Sequence, residues 1–98
     1  MRHHYIVAYD ICDPTRLRHV HRTVRDFGDP LQLSVFACEL SSLDRAVLEQ
    51  RLLEIIDASV DQVMFVRLAP VAHGDSGPPG CHTLGRPLDD TSERAVLA

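Results

Sequence analysis

The sequence of 98 residues contains no lysine, only three cysteines and no long hydrophobic run, and each absence excludes a class of protein. Cys12, Cys38 and Cys81 are too few and too widely spaced for a disulfide framework or a CxxC metal or redox motif. The apolar run near the amino terminus is too short for a signal peptide or a membrane span. We therefore expect a cytoplasmic protein with reduced thiols and no membrane association.

Common catalytic and zinc-binding patterns are also absent. The sequence contains no P-loop glycine pattern, no nucleophile elbow and no Cys/His pairing at a recognisable spacing. The adjacent His3 and His4 would point to opposite sides of a strand, and His19 and His21 would not converge on a helix. Any hydrolysis is therefore expected to use metal-assisted attack by water.

The charge balance argues against a protein that coats nucleic acid through bulk positive charge. The net charge is −4, while all ten basic residues are arginine. Hydrophobic residues make up 45% of the chain and charged residues 24%, which is typical of a globular domain. Residues 1–70 are predicted to form that single domain, and residues 71–98 a linker and tail with one short strand at 81–88.

The first third of the chain predicts a buried strand followed by a helix. Tyr5 to Tyr9 is continuously apolar, as in a central strand, and Asp10 follows at its carboxyl end. Asp13 is suited to cap a helix whose first residue is Pro14. The apolar stripe of this helix is Leu17, Val20, Val24 and Phe27. Gly28 is predicted to end it.

The middle of the chain predicts further strands around a second helix. Residues 31–40 alternate as one long strand or as two short ones meeting at a bulge, and the sequence leaves both open. Ser41 and Asp44 resemble a capping box before a second helix. Val60 to Leu68 then alternates as a strand.

This order of elements predicts an α+β, ferredoxin-like βαββαβ fold, in which two helices cover one face of an antiparallel sheet. Because the other face would stay open in so small a chain, we expect a homodimer that packs the two open faces together. A two-fold axis near the end of the first strand would then bring two copies of Asp10 together, and paired carboxylates with waters form a Mg²⁺ site. The alternative for Asp10 is a carboxylate that merely caps a turn.

The dense basic cluster of the chain lies on the first predicted helix. Arg18, Arg22 and Arg25 share one face of this helix, and Arg16 lies close by. Such a face can contact the phosphates of a nucleic acid, although a solvated helix surface would show the same pattern.

A series of short motifs resembles the CRISPR-associated endoribonuclease family of spacer acquisition. The matching segments are Tyr9-Asp10-Ile11, Asp13-Pro14-Thr15-Arg16, Gly28 and Gln32-Leu33-Ser34-Val35-Phe36. The resemblance covers residues 4 to about 70 and rests on the order of the motifs. The chain departs from it at Asp29-Pro30-Leu31, where many relatives have a basic residue, and at Ala37-Cys38, where Glu-Gly is frequent.

The resemblance implies a ferredoxin-like homodimer in which Asp10 binds Mg²⁺ and is the catalytic residue. The family's last strand, to which Cys81-His82-Thr83-Leu84-Gly85 is faintly similar, reaches onto the partner subunit, so the predicted strand at 81–88 is expected to do the same. Tyr9, Arg16, Ser34 and Phe36 would be supporting positions of the same motifs. In that family the dimer lies between two dimers of the CRISPR integrase and holds a captured DNA fragment. Some members are Mg²⁺-dependent nucleases acting on RNA or DNA, and in others the nuclease activity is dispensable.

Two functions therefore follow for a subunit of spacer acquisition. One is a metal-dependent endonuclease that uses Asp10, and the other is an architectural dimer whose helix arginines bind the DNA backbone. A third function, a small-ligand regulatory domain, is compatible with the same fold, since ferredoxin-like sheets serve many roles. The motif series favours the first two.

Overall fold

Four strands and two helices make up the described part of the chain. The computed structural model describes residues 1–74 and 80–86. The elements in chain order are β1 (His3–Asp10), α1 (Pro14–Arg25), β2 (Gly28–Gln32), β3 (Val35–Leu40), α2 (Ser42–Leu53) and β4 (Gln62–Pro70). Neither helix of this described region is long and apolar enough to cross a membrane.

The four strands form one sheet in the order β2-β3-β1-β4, and every neighbouring pair is antiparallel. Strand β1 thus lies inside the sheet, between β3 and β4, as its continuous apolar sequence predicts. This strand order, combined with the two crossover helices, confirms the predicted α+β ferredoxin-like fold.

The hydrophobic core lies between the two helices and one face of the sheet. Alternate residues of β1, namely Tyr5, Val7 and Tyr9, are buried there. The helices contribute Val20, Val24, Leu48 and Leu52 to the same cluster, and β3 contributes Phe36, Cys38 and Leu40. Each fully buried side chain of this size contributes about 1.5–3 kcal/mol relative to an exposed one. The core therefore fixes which face of β1 the helices cover.

Both helices begin at the caps that the sequence predicts. The Asp13 side chain accepts a hydrogen bond of 2.9 Å from the backbone N–H of Arg16, and Pro14 is the first helical residue. The Ser41 hydroxyl accepts from the Asp44 N–H at 3.0 Å, and the Asp44 carboxylate accepts from the Ser41 N–H at 3.3 Å. The capping box is thereby confirmed.

The predicted role of Gly28 as a helix stop is wrong. Helix α1 ends at Arg25 with Asp26 as its C-cap, and Gly28 is the first residue of β2, without a positive φ. Its lack of a side chain matters for a different reason, because a Cβ atom there would lie 2.5 Å from the Cys38 Sγ and would also overlap the Ala37 carbonyl. Glycine is needed here for close packing of β2 on β3.

Of the two alternatives for residues 31–40, the structure shows two strands. Residues 33 and 34 connect β2 to β3 as a hairpin, and the pairing is irregular between Pro30 and Gln32. Pro30 is tolerated because β2 is an edge strand. The first of the two strands also begins earlier than expected, at Gly28.

The face of the sheet opposite the helices is apolar and uncovered in the single chain. Ile6 and Ala8 alternate along β1 with the residues of the core. The apolar residues of this open face are Ile6, Ala8, Val35, Ala37, Met64 and Val66. Met64 is 51% exposed and Val66 is 38% exposed. A surface of this kind is typical of an interface.

The segment after β4 contains no strand in residues 80–86, which form turns, bends and irregular structure. Residues 87 and 88 of the predicted strand at 81–88 lie outside the described residues. The proposed pairing of this segment with a partner subunit stays a prediction.

Candidate nucleic-acid and metal site

Asp10 lies where the sequence predicts it, as the last residue of the central strand β1. It is exposed and pairs with Gln62 of β4. The alternation of β1 places it on the same side as Ile6 and Ala8, at the margin of the open face. The carboxylate is thus available to a partner that covers this face.

The loop that follows Asp10 is fixed by a buried carboxylate, that of Asp61. The side chain of Asp61 is fully buried, and its Oδ1 accepts a hydrogen bond of 2.9 Å from the Cys12 N–H. Its Oδ2 accepts from the Asp57 N–H at 2.9 Å. The Cys12 Sγ also donates to the Val60 carbonyl at 3.1 Å. These bonds connect the β1–α1 loop to the loop before β4.

Arg16 donates the remaining hydrogen bonds to the Asp61 carboxylate. Its Nε donates to Asp61 Oδ2 at 2.7 Å, and its Nη2 donates to Oδ1 at 3.3 Å. The Arg16 guanidinium, together with the Cys12 N–H, holds the pKa of the Asp61 carboxyl well below its ordinary value of 3.8. Asp61 is therefore ionised at neutral pH, and two of the three guanidinium nitrogens of Arg16 bind it.

Tyr9 and Phe36, two of the predicted supporting residues, lie together in the core beneath α1. Their rings stack with centroids 6.1 Å apart, and His21 of α1 meets the Phe36 ring edge-on at 5.2 Å. The Tyr9 hydroxyl lies 2.8 Å from His21 Nδ1. Burial raises the pKa of Tyr9 to about 12, so the phenol is protonated at neutral pH when it forms this hydrogen bond.

The same contact determines the state of the His21 ring. Burial and the nearby Arg25 lower the pKa of His21 below its ordinary value of 6.5, so the imidazole is neutral at neutral pH. The hydrogen bond to Tyr9 occupies Nδ1, so Nε2 is the ring nitrogen that this contact leaves available.

The arginines predicted to bind nucleic acid have three different environments. Arg18 and Arg22 are exposed on α1, and Arg18 Nη2 donates to the Thr15 hydroxyl at 3.4 Å. Arg25 is half-buried, one turn further along the helix. Arg16 is bound to Asp61. Arg18 and Arg22 therefore present the most accessible positive charge of the cluster.

A groove of about 560 Å³ lies beside Asp10, between α1 and the β2–β3 turn. Its lining consists of residues 9–11 at the end of β1, Leu17, Arg18, His21 and Arg22 of α1, and Leu33 and Ser34 of the turn. The Ser34 carbonyl accepts a hydrogen bond of 3.1 Å from the Tyr9 N–H, which fixes the turn against the end of β1. The groove thus brings Asp10, Arg18, Arg22 and Ser34 of the predicted set together.

A single chain does not assemble a complete metal site. Among the described residues, no group of three or more histidine, cysteine, aspartate or glutamate side chains could hold a metal ion. Mg²⁺ prefers oxygen ligands and commonly binds through one or two carboxylates with several waters. Asp10 has the right chemistry for such an ion, and a second carboxylate would have to come from another chain.

Sequence reasoning missed two residues of this region. Asp61 falls in the predicted strand from Val60 to Leu68, where an acidic residue in a largely apolar segment is itself a signal for a buried partner. His21 was considered only as a zinc ligand, whereas its position beside the apolar stripe of α1 indicates a side chain that packs on the core.

Comparison with known proteins identifies the family. Residues 1–72 match the family described as CRISPR associated protein Cas2. The chain belongs to the Cas2 family. A curated Cas2 relative from Rhodospirillum rubrum, named a CRISPR-associated endoribonuclease, is 35% identical over 95 residues, which are 97% of this chain and 90% of the relative. A second relative of that name, from Geobacter sulfurreducens, is 34% identical over 97 residues and covers 99% of both chains.

A solved Cas2 structure shows the same fold. The crystal structure of Streptococcus pyogenes Cas2 at pH 6.5 superposes with a TM-score of 0.64 and 34% sequence identity. The match covers 67% of this chain and 86% of the Streptococcus chain. Membership of the Cas2 family, first inferred from the motif series, is thereby confirmed.

The buried ion pair generates a prediction about acid stability. Asp61→Asn removes the charge that Arg16 and two backbone N–H groups stabilise, so we expect a lower Tm at pH 7, by several degrees. The stabilisation from ionised Asp61 is complete above its unfolded pKa of 3.8 and is lost as the pH falls below that value. The difference in Tm between the wild type and the variant should therefore become smaller below pH 3.8 in thermal melts.

Asp29→Asn is the matched control, because Asp29 is an exposed carboxylate in β2. It should melt like wild type at pH 7. If the Tm difference between Asp61→Asn and the wild type stayed constant across the acid range, the role of the Asp61 charge would be contradicted.

Proposed function

We propose that this protein is a homodimeric, nucleic-acid-binding subunit of CRISPR spacer acquisition that acts together with the CRISPR integrase. The observation that supports it best is the placement of Asp10 at the margin of an apolar sheet face, beside the exposed arginines of α1. The curated relatives are named endoribonucleases, which favours a nuclease activity through Asp10 as part of this role.

The dimer would form through the open face. In one chain this face has no covering layer among the described elements, although stable domains are built from two packed layers. A second copy supplies that layer through a two-fold axis, since the same patch then faces itself. Met64 and Val66, both well exposed, would be among the buried contacts.

The dimer would also complete the metal site. Because Asp10 lies at the margin of the open face, a two-fold axis close to it would place two carboxylates, one from each chain, near one another. Two carboxylates and waters suit Mg²⁺. When bound there, the ion would supply charge neutralisation at a phosphodiester and a more acidic water. Asp10 itself would hold the ion and orient it toward the nucleic acid.

Nucleic acid would bind along α1 through its phosphates. Arg18 and Arg22 are exposed and one helical turn apart, so both can contact one sugar-phosphate backbone. Such contacts position a duplex without reading its sequence. Because the net charge of the chain is −4, binding would depend on this local patch rather than on the whole surface.

A purely architectural role is the second candidate function. One observation favours it: each chain contributes a single carboxylate at the end of β1, which is fewer than a nuclease with its own two-metal site would need. In this role Arg18 and Arg22 bind DNA, the dimer spaces two integrase units, and Asp10 is not needed.

The dimer predicts a specific effect of charge on the open face. Met64→Glu would place two carboxylates in the buried interface, so we expect the variant to be a monomer in light scattering and the wild type a dimer. Leu43→Glu, on the exposed surface of α2, is the control and should leave the dimer intact. A wild-type monomer would refute this part of the proposal.

The basic face of α1 predicts a change in the salt dependence of DNA binding. The double variant Arg18→Gln/Arg22→Gln should bind duplex DNA more weakly, and the slope of log K against log salt should become shallower by about 0.9 for each phosphate that the variant no longer neutralises. Fluorescence anisotropy at several salt concentrations measures both quantities. Arg45→Gln on α2 should behave as wild type, and unchanged affinity and slope in the double variant would remove α1 from the interface.

The role of Asp10 is tested by measuring the cleavage of RNA and of DNA by highly purified Asp10→Ala protein. We expect the variant to dimerise and bind DNA normally but to lose Mg²⁺-dependent cleavage of RNA and DNA, because the ligand of the ion is gone. Cleavage that persisted would disprove the metal role.

Spacer integration into a supercoiled plasmid by the purified CRISPR integrase separates the two candidate functions. If Asp10→Ala supports integration as well as wild type does, the protein acts there as an architectural subunit. If only wild type supports it, metal chemistry at Asp10 belongs to the function.

A further inference from the structure

The groove between α1 and the β2–β3 turn has features that phosphate binding along α1 does not require. Its lining includes two leucines, Leu17 of the helix and Leu33 of the turn, and two arginines, Arg18 and Arg22. Asp10 also belongs to the lining. The lining therefore combines apolar surface with positive charge on one helix and a carboxylate at the end of β1.

Leu33 is the most unusual residue of this lining. It is 89% exposed at the tip of a hairpin, where turns usually have glycine, asparagine, aspartate or serine. Leu17, on the opposite wall, is 39% exposed. Two accessible leucines on either side of a groove are available to contact an apolar ligand, and neither is needed to complete the core.

His21 adds an aromatic surface and a polar ring atom to the same lining. Its Nδ1 is hydrogen-bonded to the Tyr9 hydroxyl at 2.8 Å, and its ring packs edge-on against Phe36. These two contacts orient the ring and leave Nε2 available for a hydrogen bond. A flat ligand with polar groups at its edge suits such a residue.

We propose that this groove binds a single unpaired nucleotide, with the base between Leu17 and Leu33 and the adjoining phosphates on Arg18 and Arg22. A volume of about 560 Å³ is within the range of small-ligand sites, about 300–1,000 Å³. The charge complementarity is specific, because the two exposed arginines lie one helical turn apart on α1 and would contact consecutive phosphates. The inference rests on the proposed function in one respect, the binding of phosphates by α1.

An acidic peptide with an apolar side chain would share part of this chemistry. The nucleotide is favoured because its charge repeats at each phosphate along a chain, which allows α1 to continue the contact beyond the groove. A base also offers polar edge groups to His21 and a flat surface to the leucines.

The test compares two single-stranded oligonucleotides of equal length and charge, one with ordinary bases and one with abasic sugars at every position. Phosphate contacts are the same in both, so a difference in affinity reports the base. Wild-type protein should bind the strand with bases about tenfold more tightly at a fixed salt concentration, as expected for one well-packed base. Equal affinities for the two strands would overturn the inference.

Leu33→Asn tests the wall directly and suits a turn, so the variant is expected to fold. It should abolish most of the preference for bases while leaving duplex binding unchanged. Leu43→Asn is the matched control, since Leu43 is 72% exposed on α2, outside the groove, and should keep the preference. Leu33→Ala serves as a second variant, with circular dichroism to confirm the fold of each. A preference that survived both Leu33 variants would refute the site.

The affinity of the same proteins for duplex DNA distinguishes a failure of the groove proposal from a failure of the proposed function. If wild type binds duplex DNA but shows no preference for bases, the base-binding groove is wrong and the proposed function stands. If wild type binds neither the duplex nor the strands, phosphate binding by α1 fails, and the groove proposal fails with it.

Discussion

The buried carboxylate of Asp61 is the constraint on which the geometry of the site depends. It receives hydrogen bonds from the Arg16 guanidinium and from backbone N–H groups in two separate loops. An unpaired charge in this position would be costly, so the arrangement is stable only when all its partners are present. The loop after β1, the start of α1 and the loop before β4 are consequently fixed relative to one another. Asp10, two residues before Cys12, lies next to this network and is paired with Gln62 at the start of β4.

The alternation of β1 then divides the protein into two surfaces with different purposes. Tyr5, Val7 and Tyr9 face the helices and form the core, whereas Ile6, Ala8 and Asp10 face the other way. Tyr9 is at once part of the core and, through His21, part of the groove. Because neighbouring residues of one strand serve both surfaces, a change in the register of β1 would disturb packing and function together.

Much of the fold could be predicted because its signals are local. The apolar run of β1, the Asp13 cap and the Ser41 capping box each lie within a few residues, and all three were confirmed. Gly28 was misread because its requirement is a close approach to Cys38, ten residues away on another strand. Asp61 was missed for the same reason, since its partner Arg16 is 45 positions distant. The position of Asp10 followed from the sequence, but the groove beside it depends on tertiary packing.

The two edges of the sheet are unequal among the described strands. Strand β2 has five residues, and its Pro30 has no N–H to offer an incoming strand, whereas β4 has nine residues with proline only at its end. A further strand can therefore add along β4 with fewer interruptions to its main-chain hydrogen bonds than along β2. Of the two edges, β4 is the one that offers another polypeptide an almost complete row of backbone donors and acceptors.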